Sequence, residues 1–75
     1  MLDHAIAAAD KAVGLEPNNA EYHDFLGQLY VKAGDLPKAE AHFSKAVARR
    51  DHPATRRRLE ELLRAQDKPV LLPKQ

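Results

Sequence analysis

Four histidines, His4, His23, His42 and His52, are the residues of this 75-residue chain best suited to metal or acid–base chemistry. None stands four positions from another, no His-Glu-x-x-His stretch occurs, and there is no cysteine. The spacing that puts two imidazoles on one helical face is missing, so no metal ligand set is assigned. His23 reads as a residue at the edge of a core and His42 as a solvated one. A nucleophile–base pair has little raw material. Ser44 and Thr55 are the single serine and threonine, and the three glycines form no phosphate-binding loop. Glu60-Glu61 are adjacent carboxylates set among arginines, where no apolar pocket would favour a neutral acid. The chain reads as non-enzymatic, with no cofactor.

The remaining chemistry is charge. Net charge is +1, but residues 1–48 carry four Lys against seven acids (−3), and residues 49–75 carry six Arg and two Lys against four acids (+4). Arg49, Arg50, Arg56, Arg57, Arg58 and Arg64 could meet phosphates. Asp51, Glu60, Glu61 and Asp67 interrupt them, however, and no aromatic residue lies in that half to stack on a base. The pattern argues against nucleic acid and fits a solvated helix or an acidic protein partner. No apolar stretch approaches the ~20 residues that span a bilayer. Met1-Leu2-Asp3-His4 lacks the basic start and apolar core of a secretory leader. A cytoplasmic location is the expectation.

These residues must be positioned by helices. Pro17, Gly34, Pro53 and Pro69 punctuate the chain, and the spacing between them predicts an all-α fold of about four helices, near 2–15, 20–33, 36–50 and 53–65. Together they make one domain, 1–66, with an extended or disordered tail over 67–75. Asn18 with Glu21 forms a capping box before the second helix, and Phe25, Leu26, Leu29, Tyr30 and Ala33 recur along it at helical spacing. Gly34 supplies a left-handed stop. Asp35 caps the third helix and Pro37 fits its first turn. Leu36, Ala39, Phe43, Ala46 and Val47 give that helix its apolar face. Asp51 or His52 caps the fourth, where Leu59, Leu62 and Leu63 form a narrow stripe. Arg56–Glu60, Arg57–Glu61 and Glu60–Arg64 are i,i+4 pairs on its outer face.

The first and third helices are related by a shift of 34 residues: Leu2 falls on Leu36, Ala5 on Ala39, Lys11 on Lys45, Ala12 on Ala46 and Val13 on Val47. A shift of 33 brings Leu26, Leu29 and Tyr30 onto Leu59, Leu62 and Leu63. Periods of this size mean stacked helical hairpins. Leu26-Gly27, Tyr30, Gly34-Asp35, Ala39, Phe43 and Ala46 then match the pattern of one complete tetratricopeptide repeat over Ala20–Pro53, which this segment resembles. The first helix resembles the second helix of a preceding repeat, and the fourth a capping helix. The chain thus holds about one and a half repeats plus a cap. His23 stands where the family often has Trp, and Ala9 where a large aromatic is common.

The resemblance implies right-handed antiparallel hairpins of an α-solenoid that holds a protein partner, a peptide or a helix, in a groove lined by first helices. Carried over, that groove comprises Glu21, Asp24, Gln28, Val31 and Lys32 of the second helix with Arg57, Glu61 and Arg64 of the fourth. It also leaves one face of the first helix, around Ala5, Ala9 and Ala12, without its usual cover. Two alternatives to a peptide-binding scaffold follow: a homodimer built on that face, or a regulatory segment of a larger enzyme. Stable arrays usually need about three repeats.

Overall fold

Polar side chains set where three of the four described helices begin. In the computed structural model, which describes residues 1–68, α1 spans Leu2–Leu15 and has no side-chain cap. The second helix, α2, spans Ala20–Ala33 and is capped by Asn19, whose side chain accepts the Tyr22 N–H at 3.1 Å. In place of the capping box expected of Asn18 and Glu21, the cap lies one residue later, at Asn19, which has the extended backbone that an N-cap needs (φ −80°, ψ 106°). Gly34 ends α2 at φ 82°, a left-handed conformation that directs the Asp35 N–H back to the Tyr30 carbonyl at 2.9 Å.

The third helix, α3, spans Leu36–Arg49 and starts where the Asp35 carboxylate accepts the Lys38 N–H at 3.2 Å, with Pro37 in the first turn. The last, α4, spans Pro53–Ala65, and His52 rather than Asp51 caps it, accepting the Ala54 N–H at 3.2 Å. Asp51 instead takes the Arg56 guanidinium at 2.8 Å. Asp67 and Lys68, assigned from sequence to the tail, close this helix. Asp67 turns left-handed (φ 56°) and the Lys68 N–H bonds the Leu63 carbonyl at 2.8 Å. The rest of the expected tail, 69–75, with its Pro69-Val70-Leu71-Leu72-Pro73 segment, lies outside the described residues.

The helices pack in chain order, α1 on α2, α2 on α3 and α3 on α4. Their shared core is built from Leu26, Leu29 and Tyr30 of α2, Ala39, Phe43 and Val47 of α3, and Leu59, Leu62 and Leu63 of α4. Phe43, Leu26 and Leu59 are the largest side chains fully removed from water. Burial of these apolar surfaces is the main force holding the hairpins together. Gly27 decides how closely α2 and α3 approach: a Cβ placed there would lie 2.7 Å from the Phe43 ring. From α1, Ala9 is buried in the same core, with Leu2, Ala5, Ile6 and Val13 packed against it. The repeat shift places Ala9 opposite Phe43, so a methyl group stands in α1 where α3 has an aromatic ring.

Candidate functional site

The residues expected to line a groove meet different fates. Asp24 turns toward the start of α4. Its Oδ2 accepts the Arg58 guanidinium at 2.7 Å and the Thr55 hydroxyl at 3.1 Å, while Oδ1 is buried and makes no hydrogen bond to any described residue. It therefore holds α4 against α2 from a half-buried position. Glu21 is exposed and lies 3.6 Å from Arg50 at the end of α3. That leaves Gln28, Val31 and Lys32 on α2, at the i, i+3, i+4 spacing of a single face. On α4, Arg57, Glu61 and Arg64 fall at i, i+4, i+7. Gln28 is half-buried, and all the others are exposed. Val31 exposes 42% of its surface, an apolar side chain in a polar row.

The outer arginines split in the same way. Arg50, Arg56 and Arg58 have acidic partners in Glu21, Asp51 and Asp24. The expected Arg57–Glu61 and Glu60–Arg64 pairs do not form. An exposed i,i+4 pair is worth only ~0.3–0.5 kcal/mol, too little to fix two long side chains against water. Among the described residues no three His, Asp or Glu side chains gather as metal ligands, and no helix of the structure is long and apolar enough to cross a membrane.

A second surface lies between α1 and α2. Ala5, Ala8, Ala9, Ala12, Tyr22 and Phe25 enclose a trough of about 340 Å³ with almost no polar atoms in its walls. Ala9, expected to be open, forms the buried floor of this trough, while Ala5 and Ala12 are half-buried along it. Phe25, which recurs with the apolar residues of α2 at helical spacing, is 53% exposed on its wall. Sequence periodicity marked Phe25 as apolar but could not tell which of the two sides of α2 would be covered.

The histidines form a third feature that sequence spacing did not reveal. His23 is only 2% exposed. Its Nε2 lies 2.7 Å from the Pro17 carbonyl and its Nδ1 lies 3.1 Å from Nδ1 of His42. His42, expected to be solvated, is half-buried and stacks on both His23 (centroids 5.3 Å apart) and Tyr30 (5.7 Å). Burial lowers the His42 pKa below the ordinary imidazole value, helped by the charges of His23 and Lys45 and opposed by Asp10.

The pattern of large and small residues at the α2–α3 contact has a match among known families. The family model described as Tetratricopeptide repeat fits residues 20–52, from the first residue of α2 to the cap of α4. Residues 20–52 are a tetratricopeptide repeat. No curated protein and no solved structure matched the chain. Within the repeat, Leu26, Tyr30, Ala39, Phe43 and Ala46 are buried, and Gly27 gives passage to the Phe43 ring. The four helices bear out the all-α expectation, and the match bears out the family resemblance over residues 20–52, with α1 before that segment and α4 after it. A tetratricopeptide repeat is in general a non-catalytic module for contact between proteins.

Proposed function

We propose that this chain binds an acidic peptide segment along the face shared by α2 and α4. The observation that supports the reading is the set of side chains left without internal partners. Lys32, Arg57 and Arg64 carry positive charge, Glu61 opposes them, and Val31 offers an apolar contact on the same row. With Asp24 neutralised by Arg58 and Glu21 facing Arg50, the open balance of this face is basic. Complementary charge would set the choice and the approach of the partner more than its affinity. A peptide with two or more acidic residues flanking one aliphatic residue fits that arrangement.

The test is fluorescence anisotropy with an array of labelled peptides, acidic, basic and neutral, each with and without a central Leu. The expected result is selective retention of acidic peptides. Lys32→Glu with Arg57→Glu would weaken this at least tenfold while the helical circular-dichroism signal stays unchanged. Equal binding of acidic and basic peptides, or binding unmoved by the double substitution, would reject the reading.

A second reading rests on the trough between α1 and α2. Phe25 stands half in water beside the walls formed by Ala5, Ala8 and Ala12, an arrangement that supports a homodimer in which the aromatic ring of one copy seats on the alanines of another. Sedimentation equilibrium separates the two readings. A dimer abolished by Phe25→Lys favours the second, and a monomer at all concentrations removes it.

A further inference from the structure

We infer that the trough between α1 and α2 is the seat of an amphipathic helix supplied by a partner protein, which lies there as α2 lies on α3 and α4. This seat is separate from the α2–α4 face. The internal repeat supports it. A shift of 34 takes Ala5, Ala8, Ala9 and Ala12 of the trough onto Ala39, His42, Phe43 and Ala46 of α3. A shift of 33 takes Tyr22 and Phe25 onto Thr55 and Arg58 of α4. The residues so reached form the surface on which α2 rests. Asp24 of α2 accepts the Thr55 hydroxyl at 3.1 Å and the Arg58 guanidinium at 2.7 Å. The Tyr30 ring lies 5.7 Å from that of His42, and Gly27 lies against Phe43. The trough is the same interface one repeat earlier, and no described helix covers it.

Burial records the difference. Beneath α2, Ala39, Phe43, Ala46 and Thr55 are all buried. In the trough Ala9 is buried, Ala5, Ala12 and Tyr22 are half-buried, and Ala8 and Phe25 are exposed. At helical spacing Met1 and Leu15 continue the alanine row, and they stand 93% and 76% exposed. The apolar face therefore runs the length of α1, roughly 20 Å at 1.5 Å per residue. A helix of about four turns would cover it.

The differences between the two seats set the chemistry of the occupant. Where Asp24 meets a hydroxyl and a guanidinium, the trough presents the rings of Tyr22 and Phe25. A carboxylate there would lose its water without gaining a partner, so the occupant carries an aliphatic side chain. Where Gly27 makes way for the Phe43 ring, the trough has only the methyl of Ala9. An aromatic residue in place of that glycine fills the space, which is about 340 Å³. His42 is replaced by Ala8, so large residues at the positions of His23 and Tyr30 are kept. The occupant is thus a helix with large side chains at i, i+1, i+4 and i+7 and an acid at none of them. The large apolar residues exposed on the described chain are Met1, Leu15, Phe25 and Val31. They do not form that pattern on any helix, so a folded second copy does not supply it.

Fluorescence anisotropy with the intact chain tests this. The first probe is a labelled peptide of residues 19–33 carrying Asp24→Leu and Gly27→Phe. It cannot exchange into the seat of α2, where even a Cβ at Gly27 would meet the Phe43 ring at 2.7 Å. The second probe is the same segment unsubstituted, and the third is a scrambled form of the first. The first should bind and gain helical circular-dichroism signal, and the other two should bind at least about tenfold more weakly. Ala8→Glu, on an exposed wall, should weaken the first probe by a similar factor without changing the helical signal of the chain. Lys32→Glu with Arg57→Glu, which tests the α2–α4 face, should leave it unmoved. NMR shift changes on binding should centre on Ala8, Ala12 and Phe25. Absence of binding, equal binding of the first and scrambled probes, or shift changes centred on Lys32 and Arg57 would overturn the proposal. So would a dimer of the chain alone that Ala8→Glu dissolves, because a second copy would then occupy the trough.

Discussion

Replacing Gly27 with alanine sets two well-understood effects against each other in one experiment. In a helix interior, alanine is favoured over glycine by about 1 kcal/mol, so at an unobstructed site the substitution would raise stability. Here the added methyl would meet three ring atoms of Phe43 at 2.7, 2.8 and 3.0 Å, the first two closer than real Cβ contacts come. Phe43 is 2% exposed and packed on all sides, so its ring cannot swing into solvent. Forcing a methyl group into a filled core costs about 1–3 kcal/mol. Packing should prevail, with a net loss of up to about 2 kcal/mol once the propensity gain is subtracted. In a domain of this size each kcal/mol lost lowers the melting temperature by roughly 4–8 °C.

Thermal and urea unfolding followed by circular dichroism would measure it, in a cycle with Phe43→Leu. The smaller side chain should lose stability by itself but relieve the clash, so the double variant should be more stable than the sum of the singles implies, by at least about 0.5 kcal/mol. A Gly27→Ala protein that melts higher than the parent would refute the reasoning, as would strict additivity in the cycle.

Two other perturbations address the attachment of α4. Asp24→Ala removes the acceptor shared by Arg58 and Thr55 and should cost about 1 kcal/mol, discounted because the Arg58 end is partly in solvent. An unchanged urea midpoint would mean that the contact is incidental. Glu40 accepts from Lys68 at 2.8 Å and from Gln66 at 3.0 Å, and the Lys68 hydrogen bond, despite some desolvation, holds its carboxyl below the usual value of 4.5. A depressed carboxyl stabilises the fold above its unfolded pKa and loses that contribution as pH falls through the folded one. The stability gap between the parent and Lys68→Met should therefore narrow below pH 4.5, and urea titrations at pH 5.5 and 3.5 would reveal a gap that does not.

The repeat was legible in the sequence because its signals are local or strictly periodic. Gly34 marks a left-handed stop whatever surrounds it, and Leu26-Gly27, Tyr30 and Phe43 alternate large and small residues at the period that two packed helices require. The surfaces were less legible. Asp24 was assigned to a groove through the family resemblance, and its bond to Arg58, which spans 34 residues and depends on where α4 lies, was not legible. His23 and His42 are 19 residues apart with no motif between them, and only the pairing of α2 with α3 brings their nitrogens together. Phe25 shows the same limit from the apolar side, since helical period identifies a stripe but not whether a neighbouring helix covers it.

The order in which the helices rest on one another also has a consequence in time. Each packs chiefly on its neighbour in the chain, so most contacts close short loops, and proteins of that topology reach their folded state in microseconds to milliseconds. A ribosome adds only about 5–20 residues per second. The α2–α3 hairpin therefore has ample time to form before the last residues of α4 emerge from the ribosome. The arginine-bearing helix arrives at a surface already built, and Asp24 is waiting there to receive it.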